Sequence, residues 1–95
     1  MEIECVLFGP FREDVGTKRV TVSPPEPTAG ALLARLEATY PVLEGRLLEE
    51  GAAELAGKTV VTKNKTDIRH LEGLETPVSE SDTIRLVPSV YGGAQ

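Results

Sequence analysis

The sequence predicts an α+β fold: a mixed sheet of four to five strands with one main helix packed across one face. Three observations carry this. Short stretches near both ends of the chain alternate apolar and polar residues or crowd β-branched ones together. One longer stretch between them, AGALLARLEATY, spaces its leucines at helical period. A chain of 95 residues buries only roughly 60–70% of the surface its unfolded form exposes, which leaves room for one helix layer on one sheet.

Each element follows in order. EIECVLFG alternates Ile3, Cys5 and Leu7 with Glu2, Glu4 and Val6, the period of a strand with one buried face. GPFREDVGT has a glycine near each end and an early proline, and reads as a connecting loop. KRVTVS alternates Val20 and Val22 with Arg19 and Thr21, so the two strands should form an antiparallel hairpin. SPPEPT is too rich in proline for a helix or a central strand. It delivers Thr28, whose hydroxyl can cap the helix that follows. In that helix Leu32, Leu33 and Leu36 share a stripe that Ala29 and Tyr40 extend, while Arg35 and Glu37 face water. Pro41 either breaks the helix or opens a second, shorter one over PVLEGRLLEEG, where Leu43 and Leu47 are four apart and Gly51 supplies a stop.

KTVVTK reads as a third strand, NKT as a turn and DIRHL as a short fourth strand. LEGLETPVSESD is a polar connection, and TIRLVP closes the fold. A hairpin, a helix and then further strands, joined by a right-handed crossover, make the β-grasp layout. That layout puts the closing strand in the middle of the sheet. The β-grasp domain is expected over residues 1–88, with 89–95 as a flexible C-terminal tail.

Composition excludes several functions. The net charge is −5, and twelve of the fifteen acidic residues are Glu; nucleic-acid binding needs clustered Lys and Arg instead. No stretch approaches the twenty or so apolar residues that cross a bilayer, and MEIECVLFG lacks the basic segment of a signal peptide. With Cys5 as the only cysteine, no intramolecular disulfide can form, and a reducing cytoplasm fits. A cytoplasmic monomer is expected, with no nucleic-acid or membrane partner. Cys5 on the inward set of its strand is a packing residue, and the single His70 can build neither a metal site nor a catalytic pair alone. Glu49-Glu50 is a solvated charged face. GPFREDVG lacks the lysine and serine of a phosphate loop. No catalytic residue and no metal site are assigned.

The last eight residues, PSVYGGAQ, have no period. Adjacent glycines lose more conformational entropy on ordering than any other pair, so they mark either plain terminal fraying or chemistry that needs a terminus without side chains. A partner that transfers AMP to a chain end must admit the carboxylate through a narrow channel, and two glycines suit such a channel.

FGPFREDVG, the leucine-rich helix followed by YP, SESDTIRLVP and the GG tail together resemble the ubiquitin-like sulfur carriers: the molybdopterin-synthase small subunit, the thiamine sulfur carrier and especially the small archaeal modifiers. The resemblance spans about Glu2 to Gly93. It implies a ubiquitin-like β-grasp protein that is not an enzyme and binds no cofactor, ATP being used by its partner, an adenylating enzyme of the ubiquitin-activating type. Gly93 would be the acylated residue and Gly92 the spacer behind it. Val87, Pro88, Val90 and Tyr91 would dock the partner. The product is a thiocarboxylate that donates sulfur, or an isopeptide to a lysine of a target protein; Lys18, Lys58, Lys63 and Lys65 are the chain's own lysines.

Two departures weaken the link to molybdopterin synthesis: Ser89 stands where relatives carry a second proline, and Tyr91 is bulky for its place. A third is Ala94-Gln95, which locks the Gly93 carbonyl in a peptide bond. A protease trims the two residues, or the dipeptide is foreign to the natural chain, or this member is never conjugated. The alternatives to a carrier are a non-conjugating β-grasp binding module and a small subunit of molybdopterin synthase.

Overall fold

The structure, a computed structural model, describes residues 1–49, 55 and 59–88. One five-stranded sheet organises it: β1 (Ile3–Leu7), β2 (Arg19–Val22), β3 (Thr59–Lys63), β4 (Thr66–Asp67) and β5 (Thr83–Pro88), in the spatial order β2-β1-β5-β3-β4. β1 and β2 form the expected antiparallel hairpin, with Cys5 opposite Val20. β5 lies between β1, to which it is parallel, and β3, to which it is antiparallel. The closing strand is therefore central. The crossover that makes a parallel neighbour of β1 possible contains α2 (Ala29–Thr39).

The period-two pattern decides which side chains meet α2. Ile3, Cys5 and Leu7 of β1, Val20 and Val22 of β2, Val61 of β3, and Ile84 and Leu86 of β5 are all buried. They join Ala29, Leu32, Leu33 and Leu36 of α2 in one aliphatic core. Each fully buried aliphatic side chain contributes about 1.5–3 kcal/mol relative to an exposed one. The α2 N-terminus is closed as its sequence requires: the Thr28 hydroxyl accepts the Ala31 N–H at 3.2 Å.

Four local readings are corrected. Residues 9–15, read as a loop, form α1 (Gly9–Val15). Pro10 sits in its first turn, where no N–H is needed, Phe11 is driven into the core, and Gly16 ends it at φ 94°, the left-handed conformation that glycine adopts freely. The glycines that suggested a loop are the helix's two boundaries.

PVLEGRLLEEG is no second helix over its described residues. Only Pro41–Leu43 make a 3₁₀ turn, and Gly45 at φ 79° turns the chain away. Leu43 and Leu47 are still fully buried. Gly51, the expected stop, lies outside the described residues.

DIRHL is a strand only at Asp67. A tight turn at Asn64 and Lys65, both at positive φ, leads into β4. A 3₁₀ turn over Ile68–His70 follows, capped by the Asp67 carboxylate, which accepts the Arg69 N–H at 2.8 Å. Glu37, expected in water, instead accepts the N–H groups of Leu47 and Leu48 at 3.0 and 2.9 Å. It stands in for the helical partners those amides lack.

Candidate functional site

The candidate site begins where β5 ends. β5 is paired on both edges, and its last residues sit opposite named partners: Val87 against Val60, and Pro88 against Thr59. Proline has no N–H to donate, so Pro88 adds no donor to the ladder. Thr59, buried, donates its hydroxyl to the Arg46 carbonyl, and its own carbonyl accepts from Arg69 at 3.0 Å. On the other side the Phe8 N–H donates to the Leu86 carbonyl at 3.2 Å, which places the start of α1 beside the same strand end. Arg46 ties that end together: it pairs with Asp14 at 2.6 Å and lies 5.0 Å from the centre of the Phe11 ring, cation over aromatic face.

Of the residues singled out for partner docking and activation, Val87 is half-buried on the sheet face opposite α2, and Pro88 is the terminal strand residue. Val90, Tyr91, Gly92 and Gly93 lie outside the described residues, as do Ala94 and Gln95. Ile84 and Leu86 point into the core, so Thr83, Arg85 and Val87 share the other face. One register row crosses all five strands on that face: Arg19, Val6, Arg85, Thr62 and Asp67. Arg85 and Thr62 were not singled out from sequence; the period of TIRLVP and TVVTK was the signal available.

At the opposite end of β5 a polar cluster fixes the β3–β4 turn. The Asp82 carboxylate accepts the Ser79 N–H at 2.8 Å and the Asn64 amide at 2.7 Å, with the Lys63 ammonium at 3.8 Å. Burial acts to raise its pKa, but the Asn64 and Ser79 bonds and the Lys63 charge outweigh it and hold the carboxyl below its ordinary value.

Cys5 is fully buried, and its burial, with Glu4 beside it, pushes the thiol up to about 12. It is therefore a packing residue with no thiolate at neutral pH. His70 is exposed on a 3₁₀ turn rather than a strand. Among the described residues no cluster of His, Cys, Asp or Glu could hold a metal ion, and no helix is long and apolar enough to cross a membrane. Lys63 is tied to the Pro77 carbonyl at 2.7 Å, Lys18 and Lys65 are exposed, and Lys58 lies outside the described residues.

Comparison with known proteins places this geometry. Residues 5–93 match the ThiS family. The chain is 38% identical over 94 residues to small archaeal modifier protein 3 of Haloferax volcanii, covering 98% of this chain and 100% of that protein. It is 32% identical over 79 residues to the sulfur carrier protein CysO of Mycobacterium tuberculosis, covering 82% of this chain and 83% of that one. The solution structure of small archaeal modifier protein 1 from Methanosarcina acetivorans superposes with a TM-score of 0.83 at 36% identity, over 97% of this chain and 96% of the other. The fold of this chain is thus the ubiquitin-like β-grasp.

Proposed function

The chain belongs to the ThiS family, and from that premise we propose that it is a ubiquitin-like protein modifier and sulfur carrier, acted on by an enzyme rather than acting as one. The observation that carries the reading is the extent of the family match, whose last residue is Gly93, five positions beyond a strand held on both edges. A rigid body supplies recognition. The residues after Pro88 supply reach.

The chemistry then belongs to the partner. A protease hydrolyses the Gly93–Ala94 bond and frees the Gly93 carboxylate. An ATP-using enzyme of the ubiquitin-activating type lets that carboxylate attack the α-phosphate, with pyrophosphate leaving. A sulfur nucleophile or a lysine amine displaces AMP from the acyl carbon, giving a thiocarboxylate or an isopeptide. Gly92 and Gly93 pass the channel because neither has a Cβ to clash. ATP is the partner's substrate and no cofactor is bound by this chain. The cytoplasm, where ATP and reduced thiols are both abundant, suits each step.

The test is adenylation itself. The chain ending at Gly93, mixed with its activating enzyme and ATP, should release pyrophosphate; the form retaining Ala94-Gln95 and the Gly93→Ala variant should lose at least about a hundredfold, the cost of misplacing a reacting group by about 1 Å. Equal rates for all three forms would sink the reading. Lysine-linked glycine remnants on other cellular proteins would assign the modifier branch, and a terminal thiocarboxylate mass the sulfur-donor branch.

A further inference from the structure

The outer side of α2 ends in a groove. It encloses about 330 Å³ and is lined by Ala34, Glu37, Ala38, Pro41 and Glu44. α2 buries Ala29, Leu32, Leu33 and Leu36 against the sheet, so the exposed Ala34 and Ala38 stand on its solvent side. Their methyl groups leave open the space that longer side chains would fill. The 3₁₀ turn that begins at Pro41 supplies another wall. Ligand pockets run from about 300 to 1,000 Å³, so a groove at the lower end of that range admits one long side chain rather than a helix.

Three features of the groove favour a cation. Glu37 is fixed: its Oε2 accepts both the Leu47 and Leu48 N–H groups, and its Oε1 has no hydrogen-bond partner among the described residues. A side chain already ordered loses little freedom when a ligand arrives. Glu44 is exposed, with no ion pair among the described residues, and the adjacent Arg46 is taken by Asp14. The third feature is the helix. α2 ends at Thr39 with no basic residue in its last turn, so nothing on α2 offsets the negative end of its dipole. Val42, next to Pro41, is a large apolar side chain left exposed.

We propose that this groove seats an arginine side chain of a partner protein. Its methylenes lie over Ala34, Ala38 and Pro41, its guanidinium bridges Glu37 and Glu44, and an apolar neighbour in the same segment rests on Val42. Arginine fits better than lysine because its planar fork of N–H donors can address two carboxylates at once, whereas an ammonium is a compact, strongly hydrated point charge. Charge complementarity selects this occupant. On a chain of net charge −5 the acidic walls repel nucleic acid and a second copy of the chain, and a purely apolar ligand would strand both carboxylates. The groove belongs to the helix layer, across the sheet from Arg85 and Val87, and is a surface separate from the tail chemistry proposed above.

The test uses the full chain labelled with nitrogen-15 and an acetylated, amidated peptide of alanine and leucine with arginine at its centre. Matching peptides carry lysine or citrulline there, citrulline keeping arginine's shape without its charge. Amide signals of Ala34, Glu37, Ala38 and Glu44 should shift and saturate with the arginine peptide. The lysine peptide should bind about threefold more weakly and the citrulline peptide at least about tenfold more weakly. Glu44→Gln should weaken the arginine peptide about threefold, the worth of an exposed ion pair. Ala38→Leu keeps every charge and adds a strong helix former at an exposed position, so its melting temperature should not fall. By filling the groove it should still weaken binding at least about fivefold.

Citrulline bound as tightly as arginine, shifts spread over the whole acidic surface, or Ala38→Leu binding like the parent would each reduce the effect to diffuse attraction and overturn the proposal. The absence of any saturable shift would do the same. Pyrophosphate release by the Gly93-ended chain, measured with the arginine peptide at saturation, keeps the groove and the tail apart. Unchanged release supports a separate surface, and release that falls in competition with the peptide overturns that separation. A chain that binds the peptide in its groove but yields no pyrophosphate supports the groove and removes the adenylation reading alone.

Discussion

The two faces of the sheet are built from the same five strands and do opposite things. Toward α2 stand Ile3, Cys5, Leu7, Val20, Val22, Val61, Ile84 and Leu86, all buried and apolar, with buried Thr59 and half-buried Lys63 at the two ends of β3. On the other face, one position along each strand, stand Glu4, Val6, Arg19, Thr21, Val60, Thr62, Thr83, Arg85 and Val87, a mixture of charge, hydroxyl and valine. Period two thus divides the sheet into a surface that holds the protein together and a surface of mixed polar and apolar character. Substitutions on the first should be read by denaturation.

The largest expected effect tests the first face. Leu86→Ala empties a fully buried position of the central strand, and loses about 2–5 kcal/mol of unfolding free energy in a denaturant titration, much of the roughly 5–15 kcal/mol a domain possesses. A loss below about 1 kcal/mol would show that β5 is not the core strand described here.

Asp82→Asn comes next and probes the polar end of β5. Because the folded carboxyl lies below its ordinary value of 3.8, its contribution is complete above that value and is lost as pH falls through the folded pKa. The stability gap between parent and variant, about 1–2 kcal/mol at neutral pH by the net worth of a charged hydrogen bond, should close on acidification. A gap that is independent of pH would contradict the pairing.

Arg46→Ala, which removes the Asp14 pair and the contact with Phe11, is expected to cost about 1–2 kcal/mol, mostly from the ring contact and lost packing because exposed ion pairs are weak. Added salt should recover little of the difference. Thr62→Val is the smallest, within about 1 kcal/mol and in the stabilising direction.

The parts of the fold visible in the sequence were those governed by one period. Alternation in β1 and β2, leucine spacing in α2 and the β-branched run of β3 each depend on which face is buried, and burial is what selects them. The parts misread depend on contacts distant in sequence. Residues 9–15 carry glycine and proline, local signals for a loop, but Phe11 finds the core and Arg46, 35 positions downstream of it, stacks on its ring; tertiary packing outweighs the local preference. Glu37 looked like a solvent residue because helical spacing gives a side chain's direction but not a loop that comes back to meet it. β4 shrank to two residues because Asp67 closes a 3₁₀ turn instead of extending a ladder. At the candidate site, Val87 and Pro88 were marked by their place before the glycines, whereas Arg85 and Thr62 acquire meaning only from the register that sets them side by side.

β5 also bears load. Force applied at its Pro88 end pulls along the axis of a strand stitched to β1 on one edge and β3 on the other. Force from the tail therefore shears both ladders at once and cannot peel them open one bond at a time, and resistance to such pulling is a matter of unfolding rate more than of equilibrium stability.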